Sequence, residues 1–262
     1  MSILMEPRYS LTVNGTNLAE FGVYTSGEKT FDSFEKELEF ISIPGRSGDL
    51  IRPNKRRINS TITYSSFIAE NLNVNVIALR NFLASLPEEY VRIEDNRHND
   101  EYLMGIHTGI INYEVLGVSD DGIYAGATFD LQFNVKPFRF LTSGDNTIHI
   151  SSGGSNVQNP TLFNSYPLLK VIGNGVSTIQ VRNQNGNTYR VSIDGNTSNG
   201  VYLDCETQNA YTMTGSGSAT NIVYKNSSVH IDDHRYPVFG PGQNAISGSF
   251  SSVEVTPRWY RL

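Results

Sequence analysis

Residues 34–58, FEKELEFISIPGRSGDLIRPNKRRI, carry the pattern that decides the class of this chain. Phe34, Leu38 and Phe40 alternate with Glu35, Glu37 and Glu39, the period-two spacing of a strand with one apolar and one acidic face. Ile43-Pro44-Gly45-Arg46-Ser47-Gly48 reads as a turn: Pro44 ends the strand, and the glycines reach backbone angles closed to other residues. The return run sets Arg52, Lys55, Arg56 and Arg57 against the acidic strand. A long, charged, two-stranded hairpin has little room for a core of its own and suits an arm that reaches a neighbouring molecule. The predicted arm residues are Phe34, Leu38, Phe40, Gly45, Arg46, Gly48, Arg52 and Arg56.

Strand signals continue outward from the arm. Tyr9 to Val13 alternates before an Asn14-Gly15 turn, Phe21-Gly22-Val23 begins another extended piece, and Ile58 to Tyr64 alternates again. One segment changes period. Leu72, Val76, Leu79, Leu83 and Leu86 are spaced four, three, four and three apart, the stripe of one amphipathic helix over about residues 71–86. Asn71 is its predicted N-cap and Pro87 its stop. Such a lone helix is expected to pack on a sheet. Further strands are predicted at Tyr90–Ile93, Tyr102–His107, Ile110–Leu116 and Tyr124–Val135, with Asp120-Asp121-Gly122 as a turn. In the last strand Phe129, Leu131, Phe133 and Val135 oppose Thr128, Asp130, Gln132 and Asn134.

The texture changes after Pro137. Residues 142–161, rich in Ser, Gly and Asn, read as a loop or linker. Short strands follow at close intervals, from Leu168–Ile172 to Ser249–Thr256, separated by turns such as Asn174-Gly175, Asn185-Gly186 and Asp194-Gly195. Many short strands without a helix indicate a β-sandwich or jelly roll. Charge divides the same way: residues 1–137 hold 12 Lys+Arg against 19 Asp+Glu, and residues 138–262 hold 8 against 7. The fold class is therefore mainly β with one helix. Two domains are expected, 1–140 with the arm and helix, and 141–262, whose final strand at about 249–259 has the option of returning to the first domain.

At 262 residues and 38% hydrophobic content the chain is globular and long enough for two cores. No apolar run approaches the ~18–20 residues that span a bilayer, so no membrane insertion is expected. Met1 to Tyr9 contains Glu6 and Pro7 and lacks a leader's apolar stretch. The single cysteine, Cys205, permits no internal disulfide and suits synthesis in a reducing cytoplasm. The net charge of −6 argues against general nucleic-acid binding.

No residue set reads as catalytic or cofactor-binding. His230-Ile231-Asp232-Asp233-His234 is the cluster most like a metal site, but its strand-and-loop surroundings favour a solvated loop, and no metal is assigned. The carboxylate pairs Glu88-Glu89, Glu94-Asp95 and Asp100-Glu101 lie adjacent in sequence, whereas glycoside hydrolysis needs two carboxyl groups ~5–9.5 Å apart across a cleft. Neither a nucleophile elbow nor a phosphate loop is present. The chain is expected not to be an enzyme. The rival reading is a carbohydrate-binding, lectin-like module contacting cell-wall saccharides, with Tyr189, Tyr202, Tyr211 and Tyr224 as candidate stacking rings. Trp259 lies too near the end to strengthen it.

Taken in order, these segments resemble the distal tail proteins (Dit) of long, flexible-tailed bacteriophages. The pieces are Val13-Asn14-Gly15, Phe21-Gly22-Val23, the Ile43–Gly48 turn, the helix and Phe133-Asn134-Val135-Lys136-Pro137-Phe138. Asn159-Pro160, Tyr166-Pro167 and Pro241-Gly242-Gln243-Asn244-Ala245-Ile246 complete them. The resemblance spans essentially the whole chain. It implies an N-terminal β-sandwich or split-barrel domain that forms a hexameric ring, its arm clasping the next subunit, and a C-terminal galectin-like sandwich. It also implies a place in the virion, at the tail tip or baseplate. The implied partners are other copies of the chain, the tail tube protein, the tail-tip or tail-lysin protein and, in some relatives, receptor-binding proteins. DNA would pass through the ring without specific binding, and an acidic lining would keep phosphate from sticking.

Overall fold

The computed structural model describes residues 8–26, 34–69, 71–117, 126–215, 221–232 and 235–262. The predicted turn at Asp120-Asp121-Gly122 and the start of the Tyr124–Val135 strand lie outside them. The chain divides into two units, Met1–Arg139 with Leu262, and Phe140–Arg261.

In the first unit the strands are β1 (Leu11–Val13), β2 (Thr16–Asn17), β3 (Val23–Thr25), the arm strands β4 (Lys36–Ile41) and β5 (Leu50–Arg57), and β6 (Ser60–Ile68). Helix α1 (Leu72–Ser85) is followed by β7 (Val91–Asp95), β8 (Glu101–His107), β9 (Glu114–Val115) and β10 (Ala127–Val135). The sheet runs β2-β1-β7-β8-β10-β6-β3. Its spine is the nine-residue antiparallel register of β6 on β10, from Ala127↔Ile68 to Val135↔Ser60. Alternation puts Ile62, Tyr64, Phe129, Leu131 and Phe133 on the buried face and Thr63, Ser65, Asp130 and Gln132 on the other.

Helix α1 covers that buried face. Leu72, Leu79 and Leu83 are buried in the first core, and Val76 and Leu86 pack partly buried against it. The Phe82 ring lies 5.3 Å from that of Phe21, in the 3-10 turn Leu18–Phe21. Asn71 departs from the predicted cap: it sits in the left-handed region (φ 50°) and its side chain makes no capping hydrogen bond. Its carbonyl still accepts from the N–H groups of Val74 and Asn75, both at 3.0 Å.

The second unit contains β11 (Arg139–Leu141, shared at the boundary), β12 (Ile148–Ser151), β13 (Ser155–Asn159), β14 (Leu168–Ile172), β15 (Ser177–Asn183) and β16 (Thr188–Ile193). It continues with β17 (Val201–Asp204), β18 (Asn209–Thr214), β19 (Asn221–Tyr224), β20 (Val229–Ile231), β21 (Gly242–Ser249), β22 (Ser252–Thr256) and β23 (Tyr260–Arg261). Two sheets, β12-β22-β14-β17-β18-β19 and β13-β21-β15-β16-β20, enclose one core. Leu169, Val171, Leu203 and Val255 enter it from the first sheet and Ile179, Val181, Val191 and Ile246 from the second, which makes a β-sandwich.

Two sequence expectations change here. The predicted linker contains β12 and β13, which bury one apolar side chain each, Ile150 and Val157, among Ser, His, Asn and Gln. The Pro241–Ile246 segment, read as a turn, is mostly the start of β21. Strand β22 is paired on both edges, with β12 and β14, inside the sandwich.

The C-terminal segment is fastened to that sandwich by an ion pair. Arg258 donates from Nη1 to Asp204 Oδ1 at 2.7 Å, and the Glu206 and Thr207 N–H groups donate to the same oxygen at 3.0 and 3.3 Å. Burial acts to raise the Asp204 pKa, but Arg258 and the backbone donors outweigh it and leave the carboxyl below its ordinary value. A folded pKa below the unfolded value, about 3.9, means stability that is present above pH 4 and lost as pH falls through the folded value. Arg258→Ala is expected to cost about 3 kcal/mol at pH 7 by leaving a buried carboxylate unpaired. Thermal melts from pH 7 to pH 3 should show the gap between variant and parent narrowing on the acid side. Parallel curves would refute this role.

Candidate functional site

The arm stands apart from the three larger sheets as its own two-stranded ribbon, β4 on β5. Its register pairs Leu38↔Pro53, Glu39↔Arg52, Phe40↔Ile51 and Ile41↔Leu50, with an irregularity between Lys36 and Leu38. Glu39 and Arg52 thus share one face, where Arg52 Nη1 lies 3.4 Å from Glu39 Oε2. Arg56 grips Glu37 in a fork, with Nη2 to Oε1 at 3.1 Å and a second contact from Nε. The hydrogen bond from Arg56 holds the Glu37 carboxyl below its ordinary pKa. These exposed pairs set register and add little stability.

The other face carries Leu38, Phe40, Ile51 and Pro53. Phe40 is 62% exposed and Ile51 56%, and Leu38 is exposed too. An isolated hairpin with an apolar face in water is marginal alone, and a contiguous exposed patch of this kind marks a contact surface. At the tip, Arg46 N–H donates to Ile43 O at 3.1 Å, with Pro44 second and Gly45 third at φ 82°. That is a type II turn, in which a Cβ at the third position would be strained.

The structure revises the predicted arm residues in one respect. Phe34 does not reach outward; it is buried in the first core and roots the arm. Arg57 Nη1 donates to Phe34 O at 2.8 Å, and Ile58 N–H to Glu35 O at 3.1 Å, closing the base. Ile51 and Pro53 were missed among the arm residues. The period-two match of Ile51 to Phe40 across the turn was the available signal.

In the second unit, the outer face of the five-stranded sheet carries a cleft of about 340 Å³ lined by Thr178, Gln180, Arg190, Ser192, Asp232 and Ser247, among others. Arg190 Nε donates to Gln180 Oε1 at 3.0 Å, fixing the guanidinium. On the six-stranded sheet, Tyr202 and Tyr211 are stacked, centroids 5.3 Å apart and planes 8° from parallel, and the Lys170 ammonium lies 5.7 Å from the Tyr202 centroid. The faces of Tyr202 and Tyr211 are thereby turned to one another. Trp259 is buried in the core, and so is Cys205, whose thiol burial pushes far up.

Of the histidine–carboxylate cluster, Asp233 and His234 lie outside the described residues, and His230 Nε2 pairs with Asp194 Oδ2 at 2.8 Å. Among the described residues no group of three or more His, Cys, Asp or Glu is placed to hold a metal. No described helix is long and apolar enough to cross a membrane.

No protein-family model and no curated protein matches this chain. Among solved structures the chain is similar to the SPP1 Dit (gp 19.1) protein, described as a paradigm of the hub adsorption apparatus in phages infecting Gram-positive hosts. The TM-score is 0.69 at 12% identity, covering 97% of this chain and 99% of that one. Both halves of this chain, sheet-and-helix unit and sandwich, therefore share the Dit fold.

Proposed function

We propose that this chain is a structural, non-enzymatic hub of a bacteriophage tail tip. It forms a six-membered ring in which the arm of each copy clasps the next. The observation that carries this reading is the rooted, apolar-faced arm within a fold shared along nearly its whole length with a phage hub protein. A closed ring needs a heterologous interface, and an arm reaching one way around supplies one. The ring would join the tail tube above to the tail-tip or tail-lysin protein below, carry receptor-binding proteins at its rim, and let DNA through. Its place is the virion, after synthesis in the host cytoplasm. The test is mass against concentration, with negative-stain images of large species. Hexameric rings are expected, while a chain that stays monomeric with its tube and tail-lysin partners present would refute the reading.

A second reading, saccharide binding, is favoured by the cleft on the five-stranded sheet, whose hydroxyl, amide, guanidinium and carboxylate groups suit a hydroxyl-rich ligand. On an array of bacterial cell-wall oligosaccharides the chain is expected to give signals that fall at least tenfold in Arg190→Ala. An empty array, or signals indifferent to that change, would remove this reading without touching the hub.

A further inference from the structure

We propose that the free edge of β19 is a docking site for an extended segment of another polypeptide, which joins the six-stranded sheet as a further strand. Among the described residues the sheet ends at β19, and all four residues of that strand are exposed, Ile222 at 53% and Tyr224 at 65%. Exposure at every position, with no alternation, means that no described element covers either face of the strand.

Lys225 N–H donates to Ala210 O at 2.7 Å, and the Ala210 N–H donates to Asn226 Oδ1 at 2.6 Å, so the backbone groups of this opposed pair face each other across the seam. In the register Tyr211↔Tyr224, Thr212↔Val223, Met213↔Ile222, Thr214↔Asn221, bonded and non-bonded pairs alternate. Val223 and Asn221 therefore bond to β18, and the N–H and C=O groups of Ile222 and Tyr224 point away from the sheet. Two donors and two acceptors at strand spacing are what an added strand satisfies.

Edges of this kind are ordinarily blunted by charge, proline or a covering loop. Here the only formal charge from Thr207 to Ile231 is Lys225. The outer face beside the edge continues the offer: Tyr224 follows Tyr202 and Tyr211 in one cross-strand row, and Met213 lies opposite Ile222. Tyrosine and methionine with few charges is the composition of interface centres.

The occupant is a different chain rather than a second copy. Two copies paired antiparallel through these outward groups set Lys225 against position 219, 221 or 223, depending on register, and the sequence has Ala, Asn and Val there, so the lysine would meet no carboxylate. Four residues a side also fall well short of the roughly 1,200 Å² that stable interfaces bury. A longer foreign segment with alternating apolar side chains and an acidic residue at the Lys225 end reaches the tyrosine row and answers the charge.

The test pans a displayed library of random twelve-residue peptides against the full chain. Enriched peptides are expected to alternate apolar residues, to carry an acidic residue, and to slow amide exchange at Ile222 and Tyr224. Ile222→Pro removes one outward donor at an edge position that tolerates proline, leaving the β18 bonds intact. It is expected to weaken binding at least tenfold, as is Tyr224→Lys, which blunts the edge. The proposal is overturned if no peptide is enriched or if binding ignores both variants. A concentration-dependent dimer of the free chain, abolished by Ile222→Pro, would also overturn it by identifying a second copy as the occupant.

Discussion

Leu79→Asp is expected to abolish the cooperative structure of the first unit. Leu79 is fully buried at the centre of the α1 face that packs on the sheet, between Leu72 and Leu83. Losing the leucine side chain there costs about 2–5 kcal/mol. The carboxylate that replaces it has either to stay charged among Leu, Ile and Phe side chains or to bind a proton at a raised pKa, at about 1.4 kcal/mol per unit. Together these approach the whole stability of an ordinary domain, about 5–15 kcal/mol. Amide exchange by mass spectrometry should show residues 127–135 losing protection while 177–183 keep theirs, because the second unit has its own core. Val74→Asp, on the exposed face of the same helix, should change stability by less than about 0.5 kcal/mol. Full protection of β10 in Leu79→Asp would refute the helix–sheet contact.

What could be read from the sequence depended on how many apolar side chains each element commits to a core. The helix and β10 each place several inward, so their periods stand out against the polar background. Strands β12 and β13 commit one each, Ile150 and Val157, and the surrounding Ser, Gly and Asn reads as linker. Strand β21 was hidden for a different reason. One of its inward residues is Asn244, wholly buried, whose amide donates to the carbonyls of Gly240 and Gly242 at 2.9 and 3.0 Å. A buried amide that satisfies backbone oxygens looks, in sequence, like a loop residue. Phe34 and Trp259 show a related limit. An aromatic residue beside an arm or near a chain end gives no hint of whether it faces a neighbour or the interior. The arm itself was legible because its alternation, proline and glycines all point to one hairpin. The partner of its apolar face was not, since no feature of a single chain states what covers an exposed surface.

Deleting residues 36–56 and bridging the ends is expected to leave a folded chain that forms no rings. None of these residues belongs to either buried core, and Phe34, which does, is retained. The cut closes easily, because the Ile58 N–H to Glu35 O bond already holds the two ends of the arm together. A short glycine bridge should therefore change the melting temperature little. Assembly should fare differently. Covering Leu38, Phe40 and Ile51 on a neighbour is worth about 1.5–3 kcal/mol for each side chain fully buried. In the proposed ring every interface would lose that contribution at once, and each 1.4 kcal/mol is tenfold in affinity. The double substitution Phe40→Asp with Ile51→Asp keeps the ribbon's length and its Glu37–Arg56 and Glu39–Arg52 pairs while removing the apolar contact. It should reproduce the deletion, which separates loss of the contact from loss of the arm. The measurement is mass against concentration, with negative-stain images, under conditions in which the parent chain forms rings. Normal rings from either variant would refute the clasp and assign the apolar face to another partner. Monomers from both, with amide protection in β6 and β10 unchanged, would mean that the ring is held by the face that Phe40 and Ile51 expose.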